Sequence, residues 1–166
     1  MILYPKLYCD KVTDITVEYL LENGIQAMIL DVDNTLIDFD KNMIDGLEEW
    51  IKKIKEANIV PIIVSNTNKL EKVKTVADLL EIEYIYFAIK PLKRGFKKAR
   101  KALGDIAPEH IAVVGDQIFT DVIGANRCKM FPILVKPVGE KDHWMTRFKR
   151  PLEQKVIKKY LKKNEG

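Results

Sequence analysis

Short apolar segments alternate along the chain with longer segments whose apolar residues recur every three or four positions. The short segments are typical of strands buried on both faces of a sheet, and the longer ones of amphipathic helices. Strands are predicted over residues 27–33, 59–64, 84–87, 111–115 and 132–135. Helices are predicted over residues 16–24, 44–54, 70–80 and 96–103. This alternation predicts the α/β class, with a doubly wound parallel sheet of about five strands.

Polar residues stand at or just after the predicted carboxyl ends of these strands: Asp31, Asp33, Ser65, Lys90 and Asp116. Right-handed crossover connections bring the carboxyl ends of parallel strands to one edge of the sheet. Ligands bind at such an edge, near the point where the strand order reverses. We therefore expect these five side chains to lie in one site.

The composition is that of a globular protein with one domain, residues 1–166. Hydrophobic residues make up 47% and charged residues 31% of the chain, which excludes disordered and collagen-like classes. The apolar runs 25–30 and 59–64 are far shorter than the roughly 20 residues of a membrane helix. Residues 1–10 lack the features of a secretory signal, and Cys9 and Cys128 lack the spacing of a zinc site. We expect a cytoplasmic protein with reduced thiols.

Positive charge is concentrated in two segments, although the formal net charge is only +4. Residues 90–101 contain seven lysines and arginines and no acid, and residues 141–163 contain nine against Asp142 and Glu153. Clusters of this kind favour anionic partners. The alternative for residues 155–163 is a solvated helix face, because apolar residues at helical spacing predict an opposite face that contacts the core: Leu152, Val156, Tyr160 and Leu161.

Four short motifs carry a resemblance to a known family. The segment Asp31-Val32-Asp33-Asn34-Thr35 resembles the first motif of the haloacid dehalogenase superfamily, a strand that ends in DxDx[TV]. The three later motifs are matched in order by Ser65, by Lys90 before Pro91, and by Gly115-Asp116 with Thr120-Asp121. Each of these residue types is also common in caps, turns and solvated surfaces. Their order, each after a predicted strand, favours the family.

The resemblance extends over nearly the whole chain and is to the YqeG family of subclass III phosphatases, related to mitochondrial-type phosphatidylglycerophosphate phosphatases. The strings that carry it are residues 20–24, Asp31 to Leu36, Val64-Ser65-Asn66, Lys90-Pro91, Gly115-Asp116-Gln117, Thr120-Asp121, and Thr146-Arg147-Phe148 with Arg150. We expect no cap domain, because 29 residues separate Thr35 from Ser65 and 24 separate Ser65 from Lys90, which a helix and a strand nearly fill. An open site suits a large or surface-bound substrate.

The resemblance also implies a magnesium-dependent phosphatase that hydrolyses phosphate monoesters through an aspartyl-phosphate. Asp31 would be the nucleophile, and Asp33 the general acid and base. The presence of this second aspartate favours phosphoryl transfer over carbon–halogen chemistry. Mg²⁺ would be held by Asp31, Asp116 and the backbone carbonyl of Asp33. Asp121 would support the metal through water and pair with Lys90.

The remaining site residues are expected to bind the phosphoryl group that is transferred. Ser65 and Lys90 would contact its oxygens, and the backbone amides of Asn34 and Asn66 would assist. Thr35 would secure the turn after the first strand.

Several substrates stay open at this point. The resemblance points to phosphatidylglycerophosphate, with peripheral contact between the basic segments and anionic lipid at the inner membrane surface. The alternatives are a sugar phosphate, a nucleic-acid 3′-phosphate, and a non-enzymatic RNA- or ribosome-associated module. Phe96 is the one aromatic residue among residues 90–101, too little for base stacking. The cysteine-rich zinc loop of capless sugar phosphatases does not occur between Ser65 and Lys90. The oligomeric state is not indicated.

Overall fold

The computed structural model describes the backbone of residues 1–139 and 144–166, and the side chains of residues 1–139 and 149–166. Within this part of the chain, six strands form one sheet: β1 Leu7–Cys9, β2 Ala27–Leu30, β3 Val60–Val64, β4 Glu83–Ile85, β5 Ile111–Gly115 and β6 Phe131–Val135. The α-helices are α1 Val17–Glu22, α2 Leu47–Glu56, α3 Leu70–Leu80, α4 Lys93–Ala102, α5 Ile123–Arg127 and α6 Trp144–Glu165. A π-helical turn, Ile118–Val122, precedes α5.

The strands are parallel and follow the order β1-β6-β5-β2-β3-β4. The chain runs outward from β2 to β3 and β4, and then crosses to β5 on the other side of β2. The strand order therefore reverses between β2 and β5, whose pairing places Leu30 beside Val114. Ligands bind at this kind of switch point in doubly wound folds. The predicted α/β class with a doubly wound parallel sheet is confirmed.

Helices cover both faces of the sheet. Met28 and Leu30 of β2 share one apolar cluster with buried residues of α1, α2 and α3, whereas Ala27 and Ile29 share another with residues of α4 and α5. Strands buried on both faces are uniformly apolar rather than alternating, which explains the continuous apolar runs in the sequence.

The amphipathic helices begin and end close to the predicted positions. In α2 the predicted face is buried, and the indole N–H of Trp50 donates to the carbonyl oxygen of Ile15 at 2.8 Å. Helix α4 begins at Lys93, earlier than predicted, and its Phe96 is fully buried. A Cβ atom at Gly124 would lie 2.3 Å from the Phe96 ring, so glycine allows α5 to approach α4 closely.

Among the described residues the sheet has six strands, one more than the five whose positions were predicted, because β1 lies at the edge beside β6. Leu7 pairs with Ile133 and Cys9 with Val135. All three β1 residues are only half-buried, and a run of three residues is too short to give a recognisable periodic pattern. The strand was therefore missed.

The C-terminal helix was predicted to contact the core through Leu152, Val156, Tyr160 and Leu161, and this prediction was wrong in part. Leu152 and Leu161 are 54% and 40% exposed, whereas Glu153 is buried. Val156 and Ile157 pack against a small apolar cluster of Ile118, Val122 and Leu134. Helix α6 therefore lies against the segment that follows β5. The predicted string Thr146-Arg147-Phe148 and the basic residues Lys141 and Arg147 lie outside the described side chains.

No cap domain is inserted between Thr35 and Ser65 or between Ser65 and Lys90, as expected from the lengths of these two intervals. Residues 36–64 form a short loop, α2 and β3, and residues 66–89 form α3, β4 and a loop. No helix in the described part of the chain is both long and apolar enough to cross a membrane.

Candidate active site

Two carboxylates meet across the central pair of strands. Asp31 directly follows β2, and Asp116 directly follows β5. The backbone N–H of Asp31 donates to the carbonyl oxygen of Val114 at 3.0 Å, which continues the ladder between β2 and β5 past the end of β2. Both aspartates are buried. The strand pairing therefore fixes their positions at the switch point.

The glycine before Asp116 makes room for a third carboxylate. A Cβ atom at Gly115 would lie 2.1 Å from the carboxyl carbon of Asp121. The π-helical turn brings Asp121 back over the end of β5, where the backbone N–H of Gln117 donates to its Oδ2 at 3.2 Å. The fourth motif thus has a packing explanation, because the side chain of Asp121 fills the space beside Gly115.

Lys90 connects two of the three carboxylates. Its Nζ donates to Oδ1 of Asp121 at 2.7 Å and to Oδ1 of Asp31 at 3.1 Å. Its side chain is only 2% exposed. The ammonium group therefore lies against an oxygen of the predicted nucleophile, and its predicted pairing with Asp121 is present in the structure.

Asn66 holds the backbone of Lys90 on both sides. Its Oδ1 accepts from the N–H of Lys90 at 2.6 Å, and its Nδ2 donates to the Lys90 carbonyl oxygen at 3.1 Å. The carbonyl oxygen of Ser65 accepts from the N–H of Ala88 at 2.9 Å, and the peptide bond between Lys90 and Pro91 is cis. The side chain of Asn66 therefore ties the loop of Lys90 to the end of β3, in addition to any role of its backbone amide.

Ser65 and Asn34, the other predicted phosphate-binding residues, are buried at the same edge. The Oγ of Ser65 accepts from the N–H of Thr67 at 3.3 Å, so its own hydroxyl hydrogen can be directed to another acceptor. Asn34 has a φ of 57°, a left-handed conformation that asparagine tolerates better than most residues. Its carbonyl oxygen accepts from the N–H of Val138 at 2.9 Å, which joins the turn after β2 to the segment after β6.

Asp116 is held from two directions. The hydroxyl group of Thr35 donates to its Oδ1 at 3.3 Å, and Nη2 of Arg150 donates to its Oδ2. Nη1 of Arg150 also donates to the carbonyl oxygen of Asp116 at 2.8 Å. The N–H of Thr35 donates to the carbonyl oxygen of Val32, as expected of a residue that secures the turn. Its hydroxyl group additionally orients Asp116.

Glu153 anchors α6 to the loop after Asp116. Its Oε1 accepts from the backbone N–H groups of Ile118 at 3.1 Å and Phe119 at 3.4 Å, and its Oε2 accepts from Nη1 of Arg150 at 3.2 Å. Burial raises the pKa of Glu153 to about 7, against the opposing effect of Arg150. The C-terminal helix therefore contributes two charged side chains to the surroundings of Asp116.

Asp33 stands apart from the buried carboxylates. Its Oδ1 accepts from Nζ of Lys72 at 2.8 Å, and its side chain is 44% exposed. Asp31 and Asp33 are thus two residues apart in sequence but differ in environment, one buried beside Lys90 and the other facing solvent beside Lys72. Two carboxylates in different environments can take different roles in acid–base chemistry.

Burial dominates the ionisation of the inner residues. It raises the pKa of Asp31 well above the usual range, although Lys90 opposes this. It also raises the pKa of Asp116 to about 6, against the effect of Arg150. Burial alone would lower the pKa of Lys90, but Asp121 and Asp31 raise it above its ordinary value. Lys90 is therefore charged at neutral pH. The raised pKa values of Asp31 and Asp116 mean that Lys90 and Arg150 do not fully compensate the cost of burying these two carboxylates in their charged form.

The carboxylate cluster fits a divalent cation. One oxygen each from Asp31, Asp116 and Asp121 lie within 4.8 Å of one another. Buried carboxylate oxygens are the hard donors that Mg²⁺ prefers. Both oxygens of Asp121 accept hydrogen bonds, from Lys90 and from the N–H of Gln117, and both oxygens of Asp116 accept them from Thr35 and Arg150. These hydrogen bonds do not rank the three carboxylates as direct ligands, so the expected set, Asp31 and Asp116 with Asp121 in support, stays a prediction.

The predicted site residues gather at the expected edge of the sheet: Asp31, Asn34, Thr35, Ser65, Asn66, Lys90, Asp116 and Asp121, with Asp33 on the outer side. Lys72 and Glu153 were missed, and Arg150 was given no role. Lys72 belongs to no motif and looks like any surface lysine of an amphipathic helix. The only sequence signal for Glu153 is its position as the one acidic residue among the lysines and arginines of residues 147–163.

A doubly wound parallel sheet with buried aspartates and a lysine at its switch point defines a class of phosphoryl-transfer and hydrolytic proteins. The haloacid dehalogenase-like hydrolase family matches residues 39–129, which is more than half of the chain. The "Probable phosphatase YqeG" of Bacillus subtilis (strain 168) is 38% identical over 154 residues, which cover 92% of this chain and 88% of that protein. The chain therefore belongs to the haloacid dehalogenase-like hydrolase family. The resemblance to the haloacid dehalogenase superfamily and to YqeG is confirmed, and so is the expected enzyme class, a phosphatase of this superfamily. The relation to phosphatidylglycerophosphate phosphatases stays a prediction.

Two solved structures share the fold. An uncharacterized protein from Listeria monocytogenes serotype 4b is 22% identical with a TM-score of 0.57, covering 72% of this chain and 85% of that one. A hypothetical protein from Xanthomonas campestris is 14% identical with a TM-score of 0.53, covering 75% of this chain and 72% of that one. At these identities the similarity concerns the fold alone.

Proposed function

We propose that this chain is a magnesium-dependent phosphatase that forms and then hydrolyses an aspartyl-phosphate on Asp31. The observation that carries the proposal is the contact of Lys90 with both Asp31 and Asp121, beside Asp116. A buried ammonium group next to a carboxylate nucleophile can bind the phosphoryl oxygens that approach that nucleophile. Ser65 supports the same role through its hydroxyl group.

In the first step, a carboxylate oxygen of Asp31 attacks phosphorus while the bond to the ester oxygen breaks. Asp33 gives its proton to the leaving alkoxide, which suits its position at the solvent-facing side of the site. Lys90 keeps contact with the phosphoryl oxygens, so that the charge transferred to them remains paired. The products of this step are the free alcohol and the acyl phosphate on Asp31.

In the second step, water attacks the phosphorus of the acyl phosphate. Asp33, now ionised, takes a proton from that water, and the bond between phosphorus and the Asp31 oxygen breaks. Inorganic phosphate leaves and Asp31 returns as a carboxylate. Asp33 thus regains the proton that it gave up in the first step, and the cycle is closed.

Mg²⁺ would be held by Asp31 and Asp116, with the backbone carbonyl of Asp33 as the further protein ligand. A bound Mg²⁺ would supply the positive charge that screens the phosphate from the attacking carboxylate. Thr35 and Arg150 orient the carboxylate of Asp116 for this purpose.

The natural substrate in this proposal is phosphatidylglycerophosphate or a closely similar anionic lipid phosphate at the inner surface of the cytoplasmic membrane. An edge with no inserted cap among residues 36–64 and 66–89 suits a headgroup that stays in its membrane. The lysines and arginines of residues 90–101 can attract anionic lipid. The substrate and the chemistry are tested separately.

The chemistry is tested with p-nitrophenyl phosphate, a soluble ester that requires no membrane. We expect hydrolysis with Mg²⁺ and its loss in excess chelator, with recovery when Mg²⁺ is restored. Undiminished turnover in the chelator would contradict the metal requirement.

The substrate is tested by comparing kcat/KM on four compounds with the same enzyme preparation. These are phosphatidylglycerophosphate in anionic vesicles, a sugar phosphate, a nucleotide and a 3′-phosphorylated oligonucleotide. We expect the lipid to have the highest value. A much higher value on a soluble ester, without lipid turnover, would remove the lipid and leave the mechanism intact.

A further inference from the structure

The loop that carries Lys90 exposes large apolar side chains next to the site. Four of the seven residues from 86 to 92 are large, apolar and largely exposed: Tyr86 at 42%, Phe87 at 58%, Ile89 at 46% and Leu92 at 53%. Ala88 and Lys90, which alternate with them, are each only 6% exposed. Single exposed apolar residues are ordinary on protein surfaces, but a cluster of this kind marks an interaction surface.

This loop is held in place rather than left loose. The N–H of Phe87 donates to the carbonyl oxygen of Thr67 at 2.8 Å, and Asn66 binds the backbone of Lys90 from both sides. Phe87 and Ile89 also have positive φ values of 52° and 57°. That conformation is unfavourable for bulky residues, above all for a β-branched one. The fold therefore presents apolar side chains outward at positions where a polar asparagine or a glycine would be better suited.

Positive charge directly follows the apolar residues. Residues 84–104 contain seven lysines and arginines and no acidic residue. Lys90 is buried in the site, but Lys93, Arg94, Lys97 and Lys98 of α4 are exposed. The first of these lies immediately after Leu92. Apolar side chains beside a set of cations are typical of proteins that bind the interface of anionic membranes.

We propose that residues 86–98, here called the docking surface, bind the surface of an anionic lipid membrane and present the adjacent site to it. Membrane binding itself does not depend on the proposed function. Only its purpose does, which is to bring Asp31 to a phosphate group carried by the membrane. Two copies of this surface would repel each other, because neither contributes an acidic residue. Aliphatic Ile89 and Leu92 favour lipid over nucleic acid, since they cannot stack on bases as Tyr86 and Phe87 can.

The test is co-sedimentation of the full chain with vesicles, in chelator and without substrate, so that no turnover contributes. Vesicles of phosphatidylcholine are compared with vesicles of phosphatidylcholine mixed with phosphatidylglycerol. We expect binding to the anionic vesicles only, weakened about tenfold or more as salt is raised, because screening shortens the reach of surface charges.

The variant Phe87→Asn/Leu92→Ser is designed to keep the fold. Asparagine tolerates the positive φ of residue 87, and Leu92 is the N-cap of α4, a position that serine favours. We expect this variant to bind anionic vesicles about tenfold or more weakly than the native chain. The control is Leu79→Gln, which replaces a leucine that is 57% exposed near the far end of α3. It should bind as the native chain does, and equal melting temperatures would confirm that all three proteins are folded.

Two results would overturn the proposal. One is that the native chain does not bind anionic vesicles, and the other is that the double variant binds them as well as the native chain does. In the first case, loss of self-association in sedimentation velocity, or of binding to a single-stranded oligonucleotide, by the double variant would assign the surface to a second copy of the chain or to nucleic acid. Vesicle binding without lipid turnover would instead count against the proposed substrate and leave the docking surface in place.

Discussion

Arg150 of the last helix contacts Asp116 twice, through the carboxylate and through the backbone carbonyl oxygen. Asp116 follows the central strand β5, and Arg150 lies on the helix that ends the chain. Glu153 fixes this arginine and binds the backbone of the π-helical turn at the same time. The C-terminal helix therefore supports the predicted metal site, although the family match covers only residues 39–129.

We predict that Arg150→Ala lowers kcat about 10- to 100-fold, because residues that orient a ligand typically contribute this much. The variant should also be less stable without metal, since removing one partner of a buried ion pair costs about 3–5 kcal/mol. Added Mg²⁺ should raise the melting temperature of Arg150→Ala more than that of the native protein, because the cation replaces a missing positive charge. Thermal unfolding with and without Mg²⁺ measures this difference.

Lys155→Ala is the control for Arg150→Ala, because Lys155 is an exposed cation of the same helix. It should leave both kcat and the response to Mg²⁺ unchanged. An equal Mg²⁺ response in Arg150→Ala and the native protein would mean that Arg150 braces the helix without influencing the metal site.

We predict that Asp31→Asn stays folded but loses at least about a thousandfold in rate, because the covalent step disappears while the phosphate-binding groups remain. Acid quenching with a phosphorus-labelled substrate should leave label on the native protein and none on this variant. Asp78→Asn, at an exposed position of α3, should retain the label. Label retained by Asp31→Asn would assign the nucleophile to another residue.

For Asp33→Asn we predict a loss of about 100- to 10,000-fold in steady-state rate on an alkyl phosphate, the usual contribution of a general acid and base. A burst of p-nitrophenol should persist with p-nitrophenyl phosphate, because that leaving group requires no proton. An unchanged steady-state rate on the alkyl phosphate would show that Asp33 is not the acid and base.

Lys72 should have a much smaller effect than its partner Asp33. The pair is partly exposed, and ion pairs of this kind contribute about 0–1 kcal/mol, which limits Lys72→Met to about a fivefold loss on the alkyl phosphate. Lys74→Met, two residues further along α3 and exposed, is the matched control. A loss in Lys72→Met as large as that of Asp33→Asn would give the lysine a direct part in the reaction.

The sequence predicted which residues come together wherever a residue stands at the end of a strand. Asp31, Ser65 and Asp116 follow apolar runs whose direction and order are set by right-handed crossovers, so their meeting follows from topology. Their meeting does not depend on side-chain packing. The fold class was also predicted correctly, because strands buried on both faces and amphipathic helices have different periodicities.

What the sequence did not predict depends on packing at a distance. β1 is too short and too exposed to show a period, and its pairing with β6 is visible only in the folded chain. Glu153 was given no role in the sequence analysis, whereas in the structure its carboxylate is buried and accepts from the backbone N–H groups of Ile118 and Phe119. Such partners are separated by more than thirty positions and share no periodic pattern.

The raised pKa of Glu153 predicts a specific dependence of stability on pH. Burial raises this pKa from 4.5 to about 7, so between these values the folded state keeps a proton that the unfolded chain has lost. The folded state then binds more protons, and its stability falls as pH rises through this interval. Above about pH 7 the loss is complete, and at about 1.4 kcal/mol per pH unit it amounts to at most about 3.5 kcal/mol.

Glu153→Gln isolates this contribution, because a neutral amide does not titrate and Asp116 titrates in both proteins. We predict that the stability of the variant relative to the native protein increases from about pH 5 to about pH 8 in the presence of chelator. Urea unfolding at several pH values measures the difference. Parallel stability curves for the two proteins would mean that Glu153 is ionised throughout, held as a carboxylate by Arg150 and by the N–H groups of Ile118 and Phe119. In that case the charge on Glu153 would be part of the support for Asp116 at every pH at which the enzyme works.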